Sequence, residues 1–244
     1  MKNHFSGLKW CIGALAAMLL TFTDVTAQDV GLTSFVSPGT TASAGTANVV
    51  VRIKNFDTVS VNSVTINWKI NGTSQTPQEC TSLIAPGSSV TFTLGSMTLT
   101  SARTYTLEAR TVNPTDTNPA NDTITRIVSV PLTGTYTIGG SSPSYSRISS
   151  AITALTTYGV SGPVTFQMRP QTDSVRVTIP AIAGASATNT ITFVSVASSA
   201  STVSNDSNTV VLFFPSTDTL STPNAVITLD GADYITFRRI TIQR

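Results

Sequence analysis

Toward its C-terminal end the sequence brings two acidic and two basic residues close together: Asp230, Asp233, Arg238 and Arg239. Clustered carboxylates that hold Ca²⁺ against a uronate, with a strong base that removes the α proton, would perform elimination chemistry. Asp230-Gly231 is also a ready-made turn, and the arginines alternate with apolar residues, as in a strand with one solvated face. The pattern favours a structural role, and we predict no catalytic residues in this chain.

Residues 113–122 form a loop rich in oxygen-bearing side chains, with Asp116, Asn118, Asn121 and Asp122 as candidate calcium ligands. Carboxylate and amide oxygens at close spacing suit Ca²⁺, yet the loop lacks the Gly and the bidentate Glu of an EF-hand loop. Asn and Asp beside proline also form turns through local side-chain hydrogen bonds. Both interpretations stay open, and apart from Ca²⁺ we predict no cofactor.

Residues 1–27 have the features of a secretory signal. Basic residues precede an apolar run over residues 10–20, and the small residues Val25-Thr26-Ala27 predict cleavage before Gln28. A membrane anchor is the alternative, but the run is shorter than the ~20 residues that a spanning helix needs. We therefore predict a secreted or outer-surface protein without a stable membrane span in its mature chain.

Cleavage at this point removes the only histidine, His4, and one of the two cysteines, Cys11. Without histidine the mature chain cannot perform Ser-His-Asp or Cys-His catalysis, and it cannot build His-containing zinc sites. The remaining Cys80 cannot form an intrachain disulfide. We predict that Cys80 is a small buried apolar residue.

The charge balance argues against a nucleic-acid partner. The chain has 14 basic and 12 acidic residues, a formal net charge of +2, and only 11% charged residues. No basic patch emerges, and the abundance of Thr and Ser is typical of extracellular β-proteins. We therefore predict that the chain does not bind nucleic acid.

Residues 28–131 show short alternating runs separated by turn residues, the spacing expected of a β-sandwich. Val49, Val51 and Ile53 share one face of a predicted strand, as do Val64, Ile66 and Trp68 of the next. Asn71-Gly72 then predicts a tight hairpin. We place Trp68 in the core on a central strand. The predicted strands cover residues 30–35, 47–53, 64–70, 90–94, 104–109 and 124–130.

Four segments of this region follow one another in a characteristic order. They are Asp29-Val30-Gly31-Leu32, residues 49–73, the turn Leu83-Ile84-Ala85-Pro86-Gly87-Ser88, and the closing Asn118-Pro119-Ala120-Asn121-Asp122-Thr123. In this order they resemble the CARDB family of bacterial adhesion-related sandwich domains. The resemblance implies an Ig-like fold and an extracellular spacer or binding module without enzymatic activity.

Beyond residue 131 the pattern changes to one helix followed by many short β runs. Ile148, Ile152 and Leu155 recur at helical spacing, with Ser144 as the predicted N-cap and Gly159 just past the end. The predicted strands cover residues 164–168, 175–179, 190–196, 209–214, 225–229 and 234–242. Within the last two we predict inward positions for Ile227, Leu229, Ile235, Phe237, Ile240 and Ile242.

Such short strands at close spacing suit a parallel β-helix with the helix as its N-terminal cap. Residues 134–168, 179–195 and 227–242 together resemble the start of the right-handed, pectin-lyase-like β-helix regions of large secreted proteins of the Bacteroidetes group. We therefore predict an all-β chain with a signal at 1–27, a CARDB-like sandwich at 28–131 and the capped first coils of a β-helix at 132–244. Because a solenoid needs about three repeats, the end at Arg244 predicts an N-terminal fragment.

Four Asp-Thr or Asp-Ser triplets resemble the O-glycosylation sites of the same group of secreted proteins, which predicts sugars on exposed loops. These triplets are Asp57-Thr58-Val59, Asp122-Thr123-Ile124, Asp173-Ser174-Val175 and Asp218-Thr219-Leu220.

These features predict a non-catalytic secreted or cell-surface protein that serves adhesion or contact with polysaccharide or cell-surface glycans. Exposed alternating strands with few charges suit broad contact surfaces. The alternative is the N-terminal part of a polysaccharide-degrading β-helix enzyme whose catalytic coils lie beyond residue 244. A purely structural spacer is a third interpretation.

Overall fold

The computed structural model describes residues 28–196, 210–214 and 225–243, and the predicted secretory signal lies outside them. The described part is all-β apart from one helix, as predicted. No helix in these residues is long and apolar enough to cross a membrane. The strands of the first half are β1 (Val30–Ser37), β2 (Gly45–Asn55), β3 (Val64–Ile70), β4 (Thr73–Ser74), β5 (Gln78–Cys80), β6 (Ser89–Leu99), β7 (Arg103–Val112) and β8 (Thr123–Val130).

These strands form two antiparallel sheets that face each other across one core. One sheet has the order β1-β2-β6, and the other has the order β4-β3-β7-β8 with β5 also paired to β3. Both sheets contribute to the same buried cluster, for example Val51 from the first sheet and Ile66 from the second. The predicted alternation and the predicted β-sandwich are confirmed, and the core positions of Trp68 and Cys80 are confirmed as well.

The hairpin predicted at Asn71-Gly72 joins β3 to β4. Both residues have positive φ, 49° and 79°, the combination that a two-residue type I′ turn requires and that Asn-Gly favours. The strands β4 and β5 were not predicted, because two or three residues are too few to show a period of 2.

The strands of the second half are β9 (Leu132–Ile138), β10 (Val160–Met168), β11 (Gln171–Ser174), β12 (Val177–Pro180), β13 (Ile191–Ser195), β14 (Val210–Phe213), β15 (Ile227–Asp230), β16 (Ile235–Arg238) and β17 (Ile240–Gln243). They pair in parallel in three sheets with the orders β9-β10-β13-β16, β11-β14-β17 and β12-β15. From β10 onward, successive strands join the three sheets in the same order twice, and β16 and β17 begin a third passage through that order.

Several predicted strands of this half are wrong in their bounds; β10, for example, begins at Val160, four residues before the predicted run at 164–168. Of the predicted run at 175–179 only residues 177–179 lie in a strand, β12, because residues 175–176 lie between β11 and β12 and turn the chain from one sheet to the next; β11 itself was not predicted. The predicted run at 234–242 is interrupted at Arg239, whose φ of 54° breaks the extended backbone between β16 and β17.

The single helix of the described residues, α1, spans Ile148–Tyr158. Its predicted apolar stripe of Ile148, Ile152 and Leu155 is buried, and Gly159 caps its C-terminus by donating its N–H to the carbonyl oxygen of Leu155 at 2.9 Å. The predicted N-cap, Ser144, is wrong: the helix begins after Arg147, and Ser144 instead exchanges hydrogen bonds with Thr137 on β9.

Inward residues of the parallel strands stack in ladders. Phe166, Phe193 and Phe237 form the most regular ladder, with ring centroids 4.8 Å and 5.2 Å apart and interplanar angles of 15° and 11°. The predicted inward residues of β15–β17 lie in register with buried residues of the preceding strands. Leu229 and Ile242 are nevertheless about half exposed, because they occupy the last strands of their sheets.

Two separate buried clusters follow from this arrangement. The first draws its buried residues from Val30 to Val130, and the second from Leu132 to Val226. The domain bounds 28–131 and 132–244 stay a prediction.

Candidate functional site

A groove of about 430 Å³ lies on the outer side of the sheet that contains β3 and β7. Outward side chains of these two strands form its floor, and the segment from β4 to β5 forms its wall. It is lined by Asn67, Trp68, Lys69, Ser74, Gln75, Pro77, Glu108 and Arg110. We refer to this surface as the hairpin groove.

The floor of the hairpin groove consists of two cross-strand pairs. In the antiparallel register of β3 and β7, Lys69 lies opposite Glu108 and Asn67 lies opposite Arg110. The Lys69 Nζ donates to Glu108 Oε1 at 2.8 Å, and both side chains remain more than 40% exposed. Side chains directly opposite on one face of an antiparallel pair are close enough to interact, so the strand register alone brings these four polar groups together.

Trp68 positions the wall of the groove. Its indole lies in the sandwich core and is only 6% exposed. Its Nε1 donates to the carbonyl oxygen of Thr76 at 3.0 Å, and its own carbonyl oxygen accepts from the backbone N–H of Gln75 at 2.9 Å. These two hydrogen bonds hold the chain between β4 and β5 beside the sheet, so the core and the groove share one anchor.

Arg110 is the most exposed of the three charged side chains of the floor. One guanidinium nitrogen lies 4.0 Å from Asp122 Oδ2, while 59% of the Arg110 side chain stays exposed. A guanidinium has five N–H donors in a planar fork, so a single distant carboxylate leaves most of them available. With Lys69, Glu108 and the Asn67 amide, the floor offers both donors and acceptors, and its two cations face one carboxylate of the floor, while the buried Asp122 offsets part of the charge of Arg110.

The four predicted calcium ligands divide into two groups. Asn118 and Asn121 share the Asp29 carboxylate, which accepts from the Asn121 amide at 2.6 Å and from the Asn118 amide at 3.4 Å, and Asp116 joins this group through Asn118. Asp116 accepts from the backbone N–H of Val30 at 2.9 Å and from that of Asn118 at 2.8 Å.

The fourth predicted ligand, Asp122, faces elsewhere. Its carboxylate is buried and accepts from the Thr111 hydroxyl at 2.7 Å. These hydrogen bonds fit the turn-forming interpretation of the loop. No group of three or more His, Cys, Asp or Glu suited to a metal ion occurs in the described part of the chain, and Ca²⁺ binding stays a prediction.

The acidic and basic residues near the C-terminal end lie on β15, on β16 and in the loops beside them. Asp230, Asp233, Arg238 and Arg239 are all exposed. No ion pair forms among them within the described residues, and none of them lines the hairpin groove.

The predicted O-glycosylation triplets place their hydroxyl residues at the surface where the structure describes them. Thr58, Thr123 and Ser174 are exposed, and the fourth triplet, at residues 218–220, lies outside the described residues. Glycosylation stays a prediction.

An aromatic cluster covers the first strands of the parallel sheets. Tyr145 contacts Tyr136 and Phe166, with ring centroids 5.8 Å and 5.9 Å away. Burial, followed by the neighbouring Tyr136 and Tyr158, raises the pKa of Tyr145 from 10.0 to about 12. The phenol therefore remains neutral under ordinary conditions and contributes to packing.

Several solved structures match part of this chain, and three of them cover a little under half of it. No family model matches, and no curated protein matches. The solution structure of the CARDB domain of a protein from Pyrococcus furiosus is 24% identical over 44% of this chain and 96% of that chain, with a TM-score of 0.34.

Two further structures are similar to the same extent. The crystal structure of that CARDB domain in complex with di-metal ions is 22% identical over 43% of this chain and 94% of that one, with a TM-score of 0.35. A domain of a putative cell surface protein from Methanosarcina acetivorans is 20% identical over 44% and 94%, also with a TM-score of 0.35. The similar structures thus include CARDB domains, the family that the sequence resembles.

Proposed function

We propose that this chain is a non-catalytic secreted or cell-surface protein whose sandwich contacts acidic polysaccharide through the hairpin groove. The observation that carries the proposal is the floor of that groove, where Lys69 and Arg110 outnumber the single lining carboxylate of Glu108, and where Arg110 stays 59% exposed although Asp122 lies 4.0 Å away. Exposed guanidinium and ammonium groups donate charge-assisted hydrogen bonds to carboxylates. A uronate residue supplies such a carboxylate together with hydroxyl groups for Asn67 and Glu108.

The second half of the chain, in this proposal, is the capped beginning of a right-handed parallel β-helix. Support comes from the parallel ladders, in which two successive passages of the chain each add one strand to each of three sheets. The inward aromatic stack supports it further, because equivalent residues of successive coils repeat at the strand spacing. In this proposal the parallel-stranded half is a spacer between the sandwich and the cell that secretes the protein.

Affinity electrophoresis of the full chain tests the groove directly. We expect gels that contain polygalacturonate to retard the protein and gels that contain the neutral polymer dextran to leave its mobility unchanged. Arg110→Gln and Lys69→Gln should each weaken retardation about fivefold, since each removes roughly 1 kcal/mol of exposed charge-assisted hydrogen bonding.

Arg103→Gln is the matched control, because it makes the same change of charge on the same strand and lies outside the groove. Its retardation should equal that of the unaltered chain. Equally weakened retardation in Arg103→Gln would show that net charge alone governs retention, and it would contradict the hairpin groove as the contact site. A complete lack of retardation by polygalacturonate would contradict the proposed ligand class.

A further inference from the structure

A second concave surface lies between the start of α1 and strand β11. It is a cavity of about 310 Å³ lined by Ser146, Arg147, Gln171, Thr172, Asp173 and Ser174. We refer to it as the cap cavity. It lies in the parallel-stranded half of the chain and shares no residue with the hairpin groove.

Polar residues occupy two positions of β11 that are apolar in the strands below it. In the parallel register Gln171 stacks on Val210, which stacks on Ile240, and Asp173 stacks on Leu212, which stacks on Ile242. Val210 and Leu212 are fully buried. The ladder therefore predicts apolar side chains at 171 and 173, and the chain carries an amide and a carboxylate there instead.

These two polar side chains have buried atoms without hydrogen-bond partners. Asp173 is only 4% exposed, yet among the described residues its Oδ2 accepts no hydrogen bond, and the buried Nε2 of Gln171 donates none to them. The nearest recorded charge is Arg147, whose Nη1 lies 4.0 Å from Asp173 Oδ1 at the exposed rim of the cavity. Buried polar groups are nearly always paired in folded proteins, so an acceptor and a donor left together in one cavity indicate a missing partner.

The chemistry of the cavity selects among ligand classes. One carboxylate and an adjacent guanidinium are a poor site for Ca²⁺, which takes six to eight oxygen ligands and is repelled by the nearby positive charge. The Asp173 carboxylate in turn disfavours an anion. A neutral ligand with adjacent hydroxyl groups meets both unpaired atoms, because a hydroxyl donates as well as accepts.

From this arrangement we propose that the cap cavity binds one neutral sugar residue through two neighbouring hydroxyl groups. One hydroxyl donates to Asp173 Oδ2, and the adjacent hydroxyl accepts from Gln171 Nε2. Arg147 and Ser146 contact the sugar at the rim. The cavity volume lies at the lower end of the range for small-molecule pockets, which fits a single residue. The proposal does not depend on the hairpin groove.

Saturation-transfer NMR on the full chain tests the proposal with the methyl glycosides of glucose, galactose, mannose and xylose. The protein is produced in a host that does not O-glycosylate it, because Ser174, a predicted acceptor, lines the same cavity. We expect saturation transfer to at least one glycoside. Asp173→Leu should weaken that binding at least tenfold, and Arg147→Gln should weaken it about threefold.

We expect Asp173→Leu to fold, because leucine already occupies the equivalent position 212 of the next strand. Arg147 is exposed, so its replacement leaves the core unchanged. Asp233→Asn is the control for loss of an exposed carboxylate, and this variant should bind the glycoside like the unaltered chain. Transfer to none of the four glycosides, or equal transfer in Asp173→Leu, would overturn the proposal. Binding of Ca²⁺ alone that Asp173→Leu abolishes would overturn it in favour of a cation site. Retardation by polygalacturonate should be the same in Asp173→Leu, which separates this test from that of the groove.

Discussion

Replacing Phe193 with alanine should destabilise the parallel-stranded half of the protein and leave the sandwich unchanged. Phe193 is fully buried at the centre of the aromatic ladder, between Phe166 and Phe237 at 4.8 Å and 5.2 Å. Truncation of a buried phenylalanine costs about 3–5 kcal/mol. An aromatic pair adds about 0.5–1.5 kcal/mol beyond burial, and two pairs are lost here, so we expect a loss of about 5 kcal/mol.

Tryptophan fluorescence distinguishes the two halves during urea unfolding. The chain has two tryptophans, Trp10 and Trp68, so in a Trp10→Phe background the emission reports only on Trp68 in the sandwich core. Far-ultraviolet circular dichroism reports on both halves. We expect Phe193→Ala to move one circular-dichroism transition to lower urea while the Trp68 transition keeps its midpoint.

Phe56→Ala provides the control for loss of a phenyl ring, because Phe56 is 42% exposed. It should change the free energy of unfolding of either half by less than about 1 kcal/mol. If Phe193→Ala moved the Trp68 transition as far as the circular-dichroism transition, the two buried clusters would unfold as one unit. That result would refute the reasoning from two separate cores.

Three further predictions concern packing, the loop at 113–122 and alkaline pH. Gly95→Ala should destabilise the sandwich by about 1–3 kcal/mol in urea titrations, because an added Cβ would lie 3.0 Å from Trp68 Cζ2; an unchanged midpoint would contradict this close contact. Asp116→Ala should lower the free energy of unfolding by about 1.5–3 kcal/mol in urea titrations, because it removes charge-assisted hydrogen bonds to the backbone N–H groups of Val30 and Asn118. The loss should be the same with Ca²⁺ and with EDTA, and a loss of stability seen only with Ca²⁺ would indicate a metal site. The pKa of Tyr145 is near 10 in the unfolded chain and about 12 in the folded protein, so the unfolded state loses its proton first and the protein loses stability as the pH rises from 10 to 12. Tyr145→Phe removes this contribution and should reduce that loss by about 1 kcal/mol, after allowance for the partial exposure of the phenol. Thermal melts across this range measure the difference, and identical pH profiles would contradict the raised pKa.

The sequence predicted those elements whose pattern is local and long enough to read. Strand β3 has the predicted bounds, because four alternating apolar residues and an Asn-Gly turn define it within nine positions of chain. The buried stripe and the end of α1 were predicted for the same reason, since the helical period and Gly159 are both local signals.

Long-range contacts account for what was not predicted. Ser144 has the residue type of an N-cap, but its hydrogen bonds with Thr137 belong to the connection from β9 to α1. The corner at residues 175–176 depends on which sheet each strand joins, and the residues that form it are apolar Val175 and charged Arg176, not the usual turn formers. A period of 2 shows which residues alternate, and it does not show where a strand changes sheet.

The candidate sites were missed because their residues are far apart in sequence. Lys69 and Glu108 are separated by 39 positions and meet through the register of β3 and β7. A signal was present in the outward Asn67 and Lys69 of β3, but their partners could not be chosen without that register. Asp173 appeared only within a glycosylation triplet, and its burial beneath Arg147 depends on the parallel ladder of β11 and β14.

Amide chemical-shift mapping of the isotopically labelled chain with oligogalacturonate tests the central claim most directly, because it locates the contact without altering any residue. We predict shifts at residues 67–69, 74–77 and 108–110, which line the hairpin groove or form its wall, with no comparable shifts at 113–122 or on β15–β17. Shifts confined to those other segments, or no shifts at saturating oligogalacturonate, would contradict the proposed polysaccharide contact.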